Sequence, residues 1–338
     1  TGDAACDILR SFSGHAFHFT QRGSAGGGNA GFGGSHGLVD ASRSDVQDAS
    51  RLQLLALQQA YYDLRLGQEK RRISGETAAF YDKGVEIGRL RLKAGDIAPV
   101  DLARLQIDKS RADNDARQAQ AELEQAQVVL AYLIGRESDA AQLLAGDEWP
   151  AIEQIDLQRS APEQRPDVAA ARQRVQAAEA ARDLARAQKT RDVTVGAQYE
   201  HNLQNAPQDS FGVGFSIPLF VWHEYEGDIA RAEADLSTTR LLYERTVAQA
   251  IGNVDQASSA LRSAAERRRR LEGGLLADAE RVAKAAELAY QRGAMNLMDL
   301  LDARRTLHQV QLEAASARAD YAKALAAWRL QADYGRSK

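Results

Sequence analysis

The sequence has 338 residues, of which 44% are hydrophobic but only 6% are aromatic, and alanine is plentiful. This composition favours long, closely packed helices over a core of bulky side chains. The formal net charge of -4 gives no reason to expect a nucleic acid as partner, and the single cysteine excludes an internal disulfide framework.

The N-terminal segment, residues 1–40, is rich in glycine and shows no regular period, as in QRGSAGGGNAGFGGSHG. We therefore expect it to be loop or disordered. Cys6 ends a DAAC sequence that is similar to a lipoprotein processing site, but Asp3 stands where an apolar residue belongs, and no apolar run precedes it. Lipidation of Cys6 is not expected.

A first α-helical hairpin repeat is predicted over residues 41–135. A helical pattern holds from about 43 to 93, and Gly95 breaks it. Pro99 restarts a helix at its first turn, where proline is favoured, and this second helix runs to about residue 134. No run of residues has the ~18 uninterrupted apolar positions of a membrane-spanning helix.

The middle of the chain changes character twice. Residues 136–165 are irregular, and a helix follows over 166–190. A β-hairpin is predicted within 191–222, because VTVGAQYEHN (193–202) and FGVGFSIPLF (211–220) alternate apolar with polar or small residues. Each has about the length of a strand that crosses a bilayer at a tilt.

A second α-helical hairpin repeat is predicted over residues 223–338. One helical pattern runs from about 228 to 292, Gly293 breaks it, and a last helix runs from about 297 to 332. The run Arg267–Arg270 within the first of these helices is expected to be a solvated helix surface and not a binding patch, because four successive helical residues point in all directions and cannot form one patch.

The two halves match when the numbering is shifted by 198 residues (95 to 293), which aligns Gly95 with Gly293 and Asp101 with Asp299. The helix after each break carries a seam of residues at alternating spacings of three and four, which predicts packing against another helix along its length. The seams are Leu102, Leu105, Lys109, Ala112, Ala116, Ala119, Leu123, Ala126 and Leu130, and Leu300, Ala303, Leu307, Val310, Ala314, Ala317, Tyr321, Ala324 and Trp328. Arg318, beside the seam, is expected to face outward.

The stretches SIPLF (216–220) and GDIARAEADL (227–236) carry a resemblance to the outer-membrane efflux family, the TolC-like channels, and more specifically to its heavy-metal (cobalt–zinc–cadmium, CzcC-like) branch. The resemblance covers about residues 43–335. It implies a mainly α fold with a small β part, in which long antiparallel helical hairpins, duplicated internally, form a trimeric α-barrel tunnel. The β-hairpins would contribute to a membrane β-barrel.

One departure from the family concerns the strands. Members have a second β-hairpin before the first long helix pair is complete, and residues 1–40 are the candidate place for it. Because this segment shows no alternation, we expect it to be either divergent or not the native N-terminus. Residues 136–165 correspond to the irregular equatorial segment of the family.

The resemblance also implies a site. Gly95 and Gly293 match the helical turns at the periplasmic tip of the tunnel. Asp299 and Asp302 match aspartates that ring the narrowest point of the pore, where three chains would concentrate cations. A second interpretation, from spacing alone, is that both aspartates are first-turn residues favoured by the helix dipole.

Asp101 and Tyr290 match residues that latch the closed tip. Met295 stands where the best-known member has an arginine of that latch, so the latch is expected to be weaker or different. Tyr290 could instead simply pack at the bend.

The function implied is that of a passive homotrimeric conduit in the bacterial outer membrane, with its tunnel in the periplasm, which exports divalent heavy-metal cations. The partners implied are a periplasmic adaptor (membrane fusion protein), an inner-membrane resistance-nodulation-division pump and outer-membrane lipid. The alternative is a periplasmic coiled-coil adaptor or scaffold without a pore.

No enzyme, cofactor or metal site is predicted. The sequence shows no nucleophile–base pair and no phosphate loop. None of its histidines forms a pair with a convincing ligand spacing; they are His15, His18, His36, His201, His223 and His308.

Overall fold

The computed structural model describes residues 16–23, 27–153, 162–189, 193–202, 208–216 and 225–332. Within these ranges the α-helices are α1 (Gly27–Ala94), α2 (Pro99–Ile134), α3 (Pro166–Ala187), α4 (Glu226–Arg270), α5 (Leu276–Gln291) and α6 (Leu297–Ala332). The strands are β1 (Ala16–Gly23), β2 (Val193–Asn202) and β3 (Gln208–Ser216). The predicted mainly α fold with a small β part is confirmed.

The chain forms two compact units. The first combines Thr1–Asp48 with Pro162–Gln249 and contains the three strands and α3. The second combines Ala49–Ala161 with Ala250–Lys338 and contains α2, α5 and α6. Every residue proposed for the channel site belongs to the second unit, and α1 and α4 contribute to both units.

Three glycines end helices with the same backbone geometry. The φ angles are 83° at Gly95, 67° at Gly135 and 73° at Gly293, a region that side chains disfavour. In each case the glycine amide donates to the carbonyl three residues back, and the next amide donates to the carbonyl five residues back. These paired bonds satisfy carbonyls that the helix end would leave unpaired, so the local sequence alone stops each helix.

The predicted seams of α2 and α6 are buried within the second unit. Seven of the nine seam residues of α6 are buried, and Ala303 and Ala324 are half-buried. In α2 five are buried and four are half-buried. Ala317 packs with Leu271 and Leu276. The register predicted from the heptads is therefore confirmed, and the partners of this part of the α6 seam belong to the same chain.

Two predictions about arginines were wrong. Arg318 does not face outward: its guanidinium donates to Glu69 over 2.7 Å and to Glu272 over 2.5 Å. Arg268 is only 8% exposed, whereas Arg267, Arg269 and Arg270 of the same run are exposed as expected. The burial of Arg268 was not predicted, because a helix that packs on more than one face also buries residues that lie outside its seam.

The expectation of loop or disorder for residues 1–40 is wrong over the described part of this segment. β1 pairs antiparallel with β2, and α1 begins at Gly27. β2, the pairing partner of β1, lies far away in the sequence, so no pattern within residues 1–40 predicts the strand. Gly37 has a packing reason for its place in α1, because a Cβ there would lie 3.1 Å from the Cβ of Ala177 in α3.

The predicted hairpin is confirmed, with β3 beginning earlier than expected. The sheet has the order β1-β2-β3. Val195 faces Phe215 and Tyr199 faces Phe211 across β2 and β3, and all four side chains are exposed. The predicted strand end at 217–220, the turn at 203–207 and Cys6 lie outside the described residues.

The helix predicted over 228–292 is interrupted by a π-helical segment, Leu271–Leu275. A π turn accommodates one extra residue within an α-helix. The segment therefore has the geometry of a one-residue insertion in an otherwise regular helix.

The irregular segment after α2 is held to the helices by hydrogen bonds. It begins with a short 3-10 helix, Glu137–Gln142. The Trp149 indole donates to Glu69 over 2.9 Å, and the Tyr321 hydroxyl donates to the carbonyl of Ala151 over 3.1 Å. The segment thus has defined partners although it lacks a regular period.

Candidate channel constriction

The two glycine turns belong to helices that pack closely against each other. Buried Leu301 of α6 shares an apolar cluster with Leu105 of α2 and with Tyr81 and Val85 of α1. A Cβ on Gly88 of α1 would lie 2.9 Å from a methyl carbon of Leu105, so the Leu105 side chain packs directly over this glycine. The start of α6 is therefore placed by a packed core.

Asp299 has a structural role at the start of α6. The Asn296 side-chain oxygen accepts a hydrogen bond from the amide of Asp299 over 2.9 Å, and the Asn296 amide group donates to the Asp299 carboxylate over 2.8 Å. This is a helix cap, and a carboxylate at this end is also favoured by the helix dipole. The geometry of Asp299 thus supports the second interpretation, although its side chain is exposed.

Asp302 differs from Asp299. It lies one helical turn further on, is exposed, and forms no hydrogen bond or ion pair with any residue that the structure describes. Residues three apart share a helix face, so the two carboxylates lie on one side of α6. The structure gives Asp302 no intrachain role within its described part.

The proposed latch residues do not meet within the described residues of one chain. The Arg91 guanidinium lies 4.8 Å from the centroid of the Tyr290 ring, a cation–π distance. Asp101 is half-buried in the first turn of α2, where its amide donates to the carbonyl of Ala98 over 3.0 Å. Tyr290 therefore packs against the end of α1, as the simpler interpretation expects, and the latch stays a proposal.

Two arginines near the site were missed by sequence reasoning. Arg305 of α6 donates to Asp108 of α2 over 2.5 Å, and Asp108 is 4% exposed. Arg304 forms an ion pair with Glu287 of α5 and lies 4.2 Å from the centroid of the Phe80 ring. Burial lowers the pKa of Arg304. No local signal predicts these pairs, because 197 residues separate Arg305 from Asp108.

His308 is a second titratable group on α6. Its Nδ1 lies 2.9 Å from the Thr77 hydroxyl oxygen of α1. Burial lowers the pKa of His308, and the charge of Asp115 partly opposes this effect. Among the described residues no three His, Cys, Asp or Glu side chains converge as metal ligands would. His308 is therefore placed by packing and by a hydroxyl partner.

None of the helices within the described ranges has an apolar stretch long enough to span a membrane.

The chain is similar in sequence to two curated proteins. The cobalt-zinc-cadmium resistance protein CzcC of Cupriavidus metallidurans is 25% identical over 279 residues, which are 81% of this chain and 65% of CzcC. The pyoverdine export outer membrane protein OpmQ of Pseudomonas putida is 23% identical over 283 residues, 81% of this chain and 60% of OpmQ. The chain thus spans less than two thirds of the length of either relative. The predicted resemblance to the heavy-metal branch is confirmed by CzcC.

The fold is that of known outer-membrane proteins. The crystal structure of VceC from Vibrio cholerae matches with a TM-score of 0.80 at 19% identity, covering 97% of this chain and 84% of VceC. A likeness at this level of identity shows the fold, and it confirms the predicted fold class.

A family model for outer membrane efflux proteins matches residues 157–330, which is more than half of the chain. The matching relatives are named for resistance and export and not for catalysis, in agreement with the prediction that the chain is not an enzyme. The predicted location in the bacterial outer membrane is confirmed by the same matches. The chain belongs to the outer membrane efflux protein family.

Proposed function

We propose that this chain is one subunit of a homotrimeric conduit in the outer membrane, which passively exports divalent heavy-metal cations from the periplasm. Membership in the efflux family supports the conduit, and the similarity to CzcC supports the class of substrate. The likeness of the fold to that of an outer-membrane protein favours the conduit over the scaffold alternative.

The observation that carries the proposal is the free carboxylate of Asp302 beside the second glycine turn. It is exposed and lacks a partner among the described residues, and Asp299 lies on the same face. Three copies would place up to six carboxylates around one axis, and such a ring concentrates cations and repels anions. Gly95 and Gly293 would form the periplasmic tip, and Asp101 and Tyr290 would act across subunits.

The proposed partners are a periplasmic adaptor and an inner-membrane resistance-nodulation-division pump. A passive conduit has no energy source of its own, so a pump must supply the substrate against its gradient. Pyoverdine is a second candidate substrate, and the similarity to OpmQ, a pyoverdine exporter by name, favours it.

The test is made on the trimer in planar bilayers. Asp299→Asn combined with Asp302→Asn should lower the preference for cations and the block by divalent cations, most strongly at low salt where screening is weak. Of the single variants, Asp302→Asn should retain the stability of the wild type, whereas Asp299→Asn should lose about 0.3–1 kcal/mol, because it removes a negative charge from the helix N-terminus. Glu280→Gln, at an exposed position of α5, is the matched control.

Wild-type cation selectivity and block in the double variant would exclude the aspartate ring. A protein that stays monomeric after crosslinking in detergent would exclude the conduit itself.

A further inference from the structure

The acidic face at the start of α6 is followed at once by two arginines. Arg305 lies three residues after Asp302, and residues at this spacing are neighbours on a helix, with Cβ atoms about 5–6 Å apart. An arginine at such a position ordinarily pairs with the carboxylate. Pairing here would cancel the charge that Asp302 brings to the proposed constriction.

In the structure, Arg305 pairs with Asp108 of α2 and not with Asp302. The Arg305 guanidinium reaches across to α2 and donates to the Asp108 carboxylate over 2.5 Å. The Asp108 side chain is 4% exposed, whereas that of Arg305 is 46% exposed. Asp108 is therefore a fixed anchor, and Arg305 is a side chain that could turn outward if the anchor were removed.

We infer that Asp108 is a positioning residue for ion selectivity: it withholds Arg305 from Asp302 and so keeps the carboxylate face of α6 negative. This inference rests on the proposed function, because it assumes that the face lines the conduit. Asp108 itself is buried and does not meet the permeating ion. The charge in the lumen is thus set partly by a residue on another helix.

Arg304 provides an internal comparison. It is also held inward, by the ion pair with Glu287 and by the Phe80 ring. It follows Asp302 by two residues, however, and residues two apart do not face each other on a helix. Releasing Arg304 should therefore leave Asp302 free, whereas releasing Arg305 should not.

The experiment measures reversal potentials of the wild-type and variant trimers under a potassium chloride gradient. Asp108→Leu should lower the cation-to-anion permeability ratio to that of Asp302→Asn. Adding Arg305→Gln to Asp108→Leu should restore the wild-type ratio, because the competing cation is gone. Glu287→Gln should keep the wild-type ratio. Asp108→Asn conserves side-chain size and should shift the ratio in the same direction, which covers the case in which Asp108→Leu does not assemble.

If the role of Asp108 is purely structural, adding Arg305→Gln to Asp108→Leu should not restore the wild-type permeability ratio. An unaltered ratio in both Asp108 variants, or a reduced ratio that Arg305→Gln does not restore, overturns the inference. If Asp302→Asn itself leaves the permeability ratio unaltered, the aspartate ring of the proposed function is excluded, and the inference about Asp108 is excluded with it. If Asp302→Asn lowers the ratio and the Asp108 variants do not, the inference fails alone.

Discussion

Arg268 donates a hydrogen bond to the carbonyl of Pro150 over 2.6 Å and so ties α4 to the irregular segment after α2. The same guanidinium donates to Glu272 over 2.9 Å and lies 5.3 Å from the centroid of the Tyr321 ring. One buried side chain thus joins two helices, the π-helical segment and a loop.

Replacing Arg268 by leucine should therefore destabilise the protein strongly. The change leaves the Pro150 carbonyl without its donor and removes one of the two cations of Glu272, which keeps Arg318. Leaving a buried acceptor unsatisfied costs about 1–3 kcal/mol. Thermal denaturation followed by circular dichroism measures the loss. Arg267→Gln is the matched control, because Arg267 and Asp320 form an ion pair with both side chains about half exposed, and it should cost about 1 kcal/mol or less.

Ala317→Glu should prevent the protomer from folding. Ala317 is fully buried against Leu271 and Leu276, and an unpaired charge buried there should cost several kcal/mol. Thr306→Glu places the same side chain at an exposed position of α6 and should be tolerated. Far-ultraviolet circular dichroism and yield after membrane extraction report the outcome, and similar behaviour of the two variants would contradict the seam.

Deleting Gly274 should be tolerated, because it converts the π-helical segment into a regular α-helical turn and leaves the faces before and after it in register. Deleting Glu280, within α5, should not be tolerated. Each residue lost from a regular helix rotates the remainder of that helix by about 100°, which would turn Ala283 away from Leu307 and Val310. The melting temperatures of the two deletion variants decide between these expectations, and equal losses would contradict the register.

Stability should fall as the pH falls below the ordinary His308 pKa of 6.5. Burial lowers the folded-state pKa of His308, so the unfolded chain binds more protons in this window and the stabilisation is complete only above it. The free energy of unfolding should decline less steeply between about pH 7.5 and 5 in His308→Gln than in the wild type. Parallel declines in chemical denaturation would show that His308 does not contribute.

The sequence predicts those features of the fold that have local causes. Pro99 starts α2 and Gly135 ends it at the predicted positions, because proline geometry and a left-handed glycine act on their immediate neighbours. β1 escaped prediction because its stability comes from pairing with β2, which lies in a distant part of the sequence.

The candidate site also combines features that the local sequence predicts with contacts that it does not predict. Gly293 and the acidic start of α6 are visible in the sequence, since a turn residue and a first-turn carboxylate have local signatures. The contact of Arg91 with Tyr290 and that of Arg305 with Asp108 required the packed structure. Both join helices that only tertiary packing brings together, and a heptad pattern describes burial and not charge.

The π-helical segment also has a consequence for how the gene can change. In a long regular helix, gaining or losing one codon turns every later side chain away from its neighbours. A wide turn absorbs that change locally, so selection acts weakly on length at Leu271–Leu275 and strongly elsewhere in the helices. We expect homologous genes to differ by single codons at this place.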